Sequence, residues 1–183
     1  MIANTAGLSI MDDTAVPADH PEPTKQEMRH ALGHFATGVT VITAIDPDGN
    51  LCGLTANAFS AVSLEPPLIL ACIDRSVRCY EAILATRLFT VHILHSDQAE
   101  VALSFARKGG DRSKICEWNL TDHGRPLMSS FHAALECSLH EAHHGGDHAI
   151  VIGRVARIHI DSDSREPLLY YRGQMLNGVS PTA

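Results

Sequence analysis

The sequence predicts a mainly β protein, an antiparallel barrel that carries a few inserted helices. The first supporting observation is that apolar and β-branched runs come in pairs separated by turn signals. The second is that strands and helices do not alternate regularly, as a doubly wound parallel sheet would require. The third is that no Gly-x-Gly-x-x-Gly motif is present, which counts against a Rossmann dehydrogenase.

The apolar residues in the first segment of the chain, residues 1–23, show no regular spacing. Residues 1–23 carry Asn, Thr, Asp and Pro, and we expect a mobile tail or an arm that orders on a partner subunit. We expect a single domain over residues 24–183, because chains of this length usually form one. Thr24-Lys-Gln-Glu27 is a capping box and predicts a helix that ends near Gly38.

A hairpin and two further strands are predicted next. Val39–Ile45 and Leu51–Thr55 flank the turn signal Asp46–Asn50, which is the pattern of a β-hairpin. Val62–Leu64 and Leu68–Ile73 are short apolar runs that predict two more strands. Together these segments predict the first half of an antiparallel sheet.

Two capped helices are predicted in the middle of the chain. Ser76 is placed to cap a short helix that runs to Ala85, and Ser96 is placed to cap a second helix over Asp97–Phe105. Between them, Phe89–Leu94 alternates between apolar and polar residues and predicts a strand.

Two long strands dominate the prediction for the second half. Arg107–Ser113 is a Gly-rich basic loop. Phe131–His143 and His148–Ile160 flank His144–Asp147, which predicts a second hairpin. Leu168–Tyr171 is predicted to be the last strand.

Composition excludes several function classes. The formal charge of the 183-residue chain is -7 and its 14 Lys and Arg residues are scattered, which argues against nucleic-acid binding. No apolar run approaches membrane-spanning length, and the N-terminus lacks the pattern of a signal peptide. The five cysteines include no Cys-x-x-Cys pair, which favours a reducing, cytoplasmic setting over a disulfide framework.

Thr55-Ala56-Asn57-Ala58 is the first segment that can carry chemistry. Backbone donors and an Asn amide suit the polar edge of a flat ligand, and small side chains let such a ligand lie close to the backbone. The same four residues, taken alone, are more typical of a strand end whose Thr and Asn satisfy a turn, and only their flanking residues favour the ligand site.

Two basic segments are candidate phosphate sites. Ser76, Arg75 and Arg78 stand at the start of a predicted helix, where backbone N–H groups and cations favour anions. An ordinary helix start with two solvated arginines has the same sequence and is the commoner outcome. The second segment, Arg107–Arg112, offers further cations for the same phosphates, although on its own it is a solvated loop.

Tyr170-Tyr171-Arg172 could stack on and clamp a dinucleotide through its rings and its cation, although it is as typical of a terminal strand with one buried Tyr.

Gly145-Gly146-Asp147-His148 predicts a tight turn that presents an imidazole. The ordinary pKa of a histidine suits either dinucleotide binding or proton delivery. His140, His143 and His144 lie nearby, but His140 and His144 would share one face only on a helix, and this region is predicted to be strands. We therefore expect no metal centre here.

These segments resemble, as a set, the short-chain flavin reductase family, whose members reduce flavin for two-component monooxygenases. The resemblance rests on Phe35–Thr43, Gly53–Ser76 and Gly146–His148 and covers roughly Met28 to Gly173. It implies a split β-barrel of Greek-key type, a homodimer, and FMN or FAD bound near the subunit interface. It also implies hydride transfer from NADH or NADPH to the flavin, which then leaves for an oxygenase component.

The resemblance also implies which residues contact the cofactors. His148 would be the catalytic residue and, with Tyr171 and Arg172, would face the nicotinamide. The flavin would contact Thr55, Ala56, Asn57, Ala58, Phe59, Ala61, Val62, Ser76, Val77, Arg78, Ser104, Phe105 and Ala106. The chain departs from the family at Ala58 and Ala61, where Ser is common, and at Asp111–Ile115, where Asp-Lys-Phe is usual.

Two other functions share the predicted fold. One is a non-catalytic flavin- or haem-binding protein that acts as a sensor or carrier. The other is an enzyme whose bound flavin passes electrons to a different acceptor, such as a corrinoid. Tight retention of flavin would favour these two, and easy loss of flavin would favour a reductase that releases it.

Overall fold

The computed structural model describes residues 21–107, 115–162 and 165–178. Most of the predicted N-terminal tail and of the loop Arg107–Ser113 lies outside the described residues. The helices are α1 (Lys25–Leu32), α2 (Arg78–Thr86) and α3 (Ala99–Ala106), the last preceded by a 3-10 turn over Ser96–Gln98. The strands are β1 (Thr37–Gly38), β2 (Thr40–Ile45), β3 (Leu51–Ala56), β4 (Phe59–Leu64), β5 (Pro67–Asp74), β6 (Leu88–Ile93), β7 (Trp118–Leu120), β8 (Pro126–Met128), β9 (Ala133–Gly145), β10 (His148–Ile160), β11 (Leu168–Tyr171) and β12 (Gln174–Asn177).

One antiparallel sheet of seven strands organises the molecule. Its strand order is β3-β2-β6-β9-β10-β5-β4. The hairpins β2–β3 and β9–β10 form as predicted, and their turns bring Asp46–Asn50 and Gly146–Asp147 to the ends of the sheet. A three-stranded sheet (β1-β11-β12) and a two-stranded one (β7-β8) complete the described part. The prediction of a mainly antiparallel β fold is confirmed.

Two clusters of buried side chains form the core. The larger lies between the seven-stranded sheet and α2, and includes Ile42, Ile73, Ile83, Phe89 and Val151. The smaller lies under α3 and β11, and includes Val41, Leu94, Phe105, Met128 and Leu168. Burial of these side chains supplies the main stabilising free energy, about 1.5–3 kcal/mol for each large apolar side chain.

Gly153 allows a close contact between β10 and the side chains packed against it. A Cβ at this position would lie 2.5 Å from Cζ of Phe89 and 3.1 Å from Cδ1 of Ile69. The register of β10 against β9 shifts between Ile152 and Gly153, at a β-bulge or irregularity. The glycine is therefore required by the aromatic ring packed against it.

The helix caps differ from the prediction. The N-cap of α2 is Val77, without a side-chain bond, and Ser76 instead donates its backbone N–H to Oδ1 of Asp74 (2.8 Å). Ser96 begins the 3-10 turn and is preceded by His95, whose backbone N–H is accepted by Oε1 of Gln98 (3.1 Å). Both predicted Ser caps are wrong, because α2 has its N-cap one residue after Ser76 and the 3-10 turn has its N-cap one residue before Ser96.

Other boundaries also moved. The first helix ends at Leu32 rather than near Gly38, and Phe35 beyond it is exposed. β4 begins at Phe59, three residues before its predicted start. Leu168–Tyr171 is not the last strand, because β12 turns back and pairs with it. The short strands β7 and β8 were also missed, since three residues are too few to show a period.

Candidate functional site

A cavity of about 500 Å³ opens between β3, the start of α2 and the end of α3. Its size lies within the range of pockets that bind small molecules and cofactors. The segment Leu51–Ala58 forms one wall, Ser76–Cys79 another, and Phe105–Arg107 a third, with Cys72, Asp74 and His148 between them. Three segments that are distant in sequence therefore meet at one site.

Gly53 and Phe105 form a tightly packed part of this wall. A Cβ on Gly53 would lie 2.7 Å from Cε1 of Phe105 and 2.9 Å from the carbonyl oxygen of Ile42. Phe105 is almost fully buried, so its ring has little room to retreat. The absence of a side chain at residue 53 therefore lets α3 approach β3 at the cavity.

The small polar segment at the end of β3 is fixed by its neighbours. Oγ1 of Thr55 donates to the carbonyl of Ala102 on α3 (2.5 Å), and Oγ1 of Thr40 donates to the carbonyl of Ala56 (2.6 Å). Asn57 and Ala58 are exposed beside the cavity. This arrangement leaves a rigid wall of small side chains on which a flat ligand can lie.

The start of α2 contributes a cation. Nη2 of Arg78 forms an ion pair with Oδ2 of Asp46 in the β2–β3 turn. The Arg78 side chain is 61% exposed, whereas that of Asp46 is 6% exposed. The guanidinium is thus anchored at one end and accessible from the cavity at the other.

The β9–β10 turn places a histidine at the cavity. Nδ1 of His148 donates to Oδ1 of Asp147 (2.7 Å), and this bond, with the charge of the ring, holds the pKa of Asp147 below its usual value. Arg75 ties the turn to the end of β5 through its backbone N–H to the carbonyl of Asp147 (3.2 Å) and Nη1 to that of Gly146 (3.4 Å). Gly146 has a φ of 69°, a conformation that favours glycine.

The structure brings ten of the predicted site residues together at this cavity. They are Thr55, Ala56, Asn57, Ala58, Ser76, Val77, Arg78, Phe105, Ala106 and His148. Their assignment to the flavin or to the nicotinamide stays a prediction.

Six predicted site residues do not line the cavity. Phe59, Ala61 and Val62 lie on the edge strand β4, and Ser104 lies on α3. Tyr171 and Arg172 lie at the β11–β12 turn, where the backbone N–H of Arg172 donates to the carbonyl of Gly33 (2.8 Å). Arg172 lines a separate depression beside α1.

Sequence reasoning missed a set of cavity residues, of which three cysteines are the most distinctive. Cys52, Cys72 and Cys79 all line the cavity, and all five cysteines of the chain are free thiols. A hydrogen bond with Cys79 lowers the pKa of Cys52. The hairpin register could have found Cys52, since it precedes the polar segment on the same strand. The other missed residues are Leu51, Gly53 and Leu54, whereas Asp74 and Arg107 belong to the two basic segments singled out as candidate phosphate sites.

The histidines near the turn do not assemble into a metal site. His140, His143 and His144 are exposed on the outer part of β9. Within residues 21–107, 115–162 and 165–178, no group of three His, Cys, Asp or Glu side chains is arranged to hold a metal ion. No helix in that part of the chain is long and apolar enough to span a bilayer.

The antiparallel sheet, with a cavity of small side chains beside it, is the arrangement expected of a split-barrel protein that binds a flat cofactor. Residues 32–178 match the family model described as "Flavin reductase like domain", and the chain belongs to that family. The family prediction is confirmed.

Known relatives agree with this membership. A probable flavin reductase from Rhizobium meliloti is 42% identical over 80% of this chain, which spans 46% of that protein. The flavin-dependent monooxygenase reductase subunit HsaB of Rhodococcus jostii is 38% identical over 94% of this chain and 86% of its own length.

A solved structure supports the fold as well. The NADH:FAD oxidoreductase SgcE6 of Streptomyces globisporus, in complex with NAD and FAD fragments, is 33% identical to the chain. Its TM-score is 0.81, with 91% of this chain and 99% of that one covered. The split-barrel prediction is confirmed.

Proposed function

We propose that the protein is an NAD(P)H-dependent flavin reductase that supplies reduced FMN or FAD to a partner monooxygenase. The observation that carries this proposal is the meeting of Thr55–Ala58, Arg78 and His148 at one cavity. These three features offer a wall of small side chains for a flat ring, a cation for a phosphate and an imidazole beside them for the second cofactor. The family membership and the names of the relatives support the same reaction.

The cavity residues fit a flavin. The isoalloxazine ring would be held against Thr55–Ala58, where the side chains are small, with Phe105 packed behind Gly53. Arg78 and the start of α2 would bind the phosphate, since a guanidinium can form paired hydrogen bonds to phosphate oxygens. When bound, the flavin supplies the hydride-accepting group.

His148 holds the nicotinamide side of the site. Its Nδ1 is occupied by Asp147, and its Nε2 makes no hydrogen bond to any described residue. The ring is therefore oriented and keeps one nitrogen for the dinucleotide or for a proton. Hydride transfer itself needs no general acid or base, so the chain contributes mainly by positioning two cofactors face to face.

We also propose a homodimer in the cytoplasm. Val62, Leu64, Ile158 and Ile160 are exposed apolar side chains on β4 and β10, a pattern typical of surfaces that associate. The five free thiols favour a reducing compartment. Sedimentation of the purified protein tests the dimer directly, and a monomer at micromolar concentration would contradict it.

The deciding experiment is NADH or NADPH oxidation by flavin-free protein with FMN, FAD or riboflavin added. Saturable turnover with free flavin is expected and ranks the flavins and the two dinucleotides in one series. Flavin binding without nucleotide oxidation would refute the reductase and favour a flavin carrier. His148→Ala should lower turnover while flavin affinity, measured by fluorescence quenching, stays nearly unchanged. Unchanged turnover would remove His148 from the mechanism.

A further inference from the structure

Asp46 is a buried carboxylate outside the cavity that contacts a residue of its wall. It is the last residue before the β2–β3 turn, and only 6% of its side chain is exposed. Its Oδ1 accepts the backbone N–H groups of Asp48 (3.0 Å) and Asn50 (2.8 Å). The backbone N–H of Asn50 is the main cause of a lowered pKa for Asp46, so the carboxylate stays ionised at neutral pH.

The second oxygen of this carboxylate faces the candidate site. Oδ2 accepts from Nη2 of Arg78, the first residue of α2. The two residues are 32 positions apart, so the ion pair joins the β2–β3 turn to the start of the helix. Because the turn itself fixes the carboxylate, the guanidinium is held against an immobile partner.

We propose that Asp46 is a positioning residue that orients Arg78 toward the flavin phosphate and thereby sets the preference for FMN over riboflavin. The inference rests on the proposed flavin site. A free arginine side chain samples many rotamers and would lose much of this freedom on binding phosphate. Anchoring one nitrogen in advance removes part of that loss, while the other N–H groups remain donors.

A purely structural ion pair would make a different prediction. If Asp46 only joined the turn to α2, its loss would weaken all flavins equally. If it orients Arg78, its loss affects only ligands that carry a phosphate. The affinity ratio of riboflavin to FMN therefore separates the two roles.

The experiment measures equilibrium binding of FMN and riboflavin to flavin-free protein by fluorescence quenching. Asp46→Asn keeps the shape and an oxygen for the turn, and it should raise the Kd for FMN about tenfold with the Kd for riboflavin within about twofold, a difference of roughly 1.4 kcal/mol. Asp48→Asn, on the exposed part of the same turn, is the matched control and should change neither Kd. Equal weakening of both flavins by Asp46→Asn, or no change, would overturn the inference.

A double-mutant cycle tests the route through Arg78. Arg78→Gln should lose the FMN preference, and adding Asp46→Asn to it should have no further effect on either Kd. Additive losses would show that Asp46 acts independently and would contradict the proposal. If Asp46→Asn does not fold, Asp46→Glu, which moves the charge by one methylene, should show the same FMN-specific loss to a smaller extent. These binding measurements do not require turnover, so an inactive protein would refute the proposed reductase without obscuring the result for Asp46.

Discussion

Two polar regions of the molecule differ in whether the protein encloses their charged groups or leaves them accessible to solvent. The first is the Glu136 cluster, formed by Glu136, His159, Thr121 and Arg125 on and beside β9 and β10. Oε1 of Glu136 accepts from Nε2 of His159 (2.8 Å), and Oε2 accepts from Oγ1 of Thr121 (3.1 Å) and lies 3.9 Å from Nη1 of Arg125. The second is the cavity, with its pairs Asp46–Arg78 and Asp147–His148.

The difference lies in how much of each charged side chain is exposed to solvent. Glu136 is fully buried and Arg125 nearly so, and Arg125 also donates to the carbonyl of Cys137 (3.0 Å). In the cavity, by contrast, Arg78 is 61% and His148 45% exposed. A buried charge that loses its partner strongly destabilises the fold, whereas charges that keep an accessible side are available for a ligand. We infer that the first region serves stability and the second serves binding.

Removal of Glu136 has the largest expected effect, and it tests whether the Glu136 cluster serves stability. Burial alone would raise the pKa of Glu136, but hydrogen bonds from His159 and Thr121 and the nearby charges outweigh it and lower the pKa. Glu136→Ala leaves the Arg125 guanidinium buried without its carboxylate, which should lower the free energy of unfolding by about 3–5 kcal/mol. Urea unfolding measures this loss, and Glu141→Ala, at an exposed position on β9, is the control.

The turnover of Glu136→Ala tests whether the Glu136 cluster influences the cavity. Glu136→Ala should leave the turnover of the remaining folded molecules unchanged, because none of the four residues lines the cavity. A loss of turnover without a loss of stability would contradict the inference that the Glu136 cluster serves stability and the cavity serves binding.

His92 gives a second test, through pH. Its Nδ1 donates to the carbonyl of Val41 (3.2 Å) and its Nε2 accepts the backbone N–H of Met128 (3.1 Å), so the buried ring is neutral. Burial lowers its pKa to about 4, against 6.5 in the unfolded chain. The unfolded state therefore binds a proton that the folded state does not between these values, and stability falls as the pH drops from 6.5 toward 4.

The expected size follows from the pKa difference. Between pH 6.5 and 5, His92 should account for about 1.6 kcal/mol of lost unfolding free energy. Urea unfolding at both pH values measures it. His92→Gln should flatten the dependence by that amount, whereas His143→Gln, at an exposed position, should not. Equal slopes for wild type and His92→Gln would contradict the assignment.

The sequence predicts the hairpins well and the caps poorly, for physical reasons. Asp46–Asn50 and Gly145–His148 are strong local turn signals, and they place both ends of the candidate site. Ser76 and Ser96 also have suitable local sequences, but the N-cap positions fall one residue away, at Val77 and His95. The residue at which a helix begins is set by the packing of the whole segment, which a one-residue preference does not encode.

The candidate site shows the same limit. Thr55–Ala58 and His148 could be found because the residues around them resemble those of a known family, although each alone is an ordinary strand end or turn. The pairing of Arg78 with Asp46 could not, since it joins residues 32 positions apart. Nor could the placement of Arg172 beside α1, which depends on the three-stranded sheet that β12 completes.

Asp147→Asn tests the cavity half of the comparison. Asn keeps an acceptor for Nδ1 of His148 but removes the charge that favours this ring orientation, so turnover should fall about tenfold, or roughly 1.4 kcal/mol in transition-state free energy. The Kd for FMN should not change. Steady-state kinetics and fluorescence quenching measure the two quantities.

A similar pair on the same hairpin provides the control. Glu141 accepts from Nε2 of His143 (2.9 Å) on exposed β9, away from the cavity lining. Glu141→Gln should leave turnover unchanged. If both variants lower turnover alike, general charge on the hairpin, rather than the orientation of His148, is responsible.

Substitution of Thr55 has the smallest expected effect. This residue combines features of the two regions compared above. It lines the cavity, yet its hydroxyl donates inward to the carbonyl of Ala102 rather than toward a ligand. Thr55→Val should therefore lower the free energy of unfolding by about 1 kcal/mol and leave the Kd for FMN within about twofold. Ser60→Ala, whose exposed hydroxyl bonds only to the carbonyl of Ala61 next to it, should change neither quantity. A weaker Kd with unchanged stability would show that the Thr55 hydroxyl turns to the flavin. That result would shift Thr55 from the residues that stabilise the wall to those that bind the cofactor.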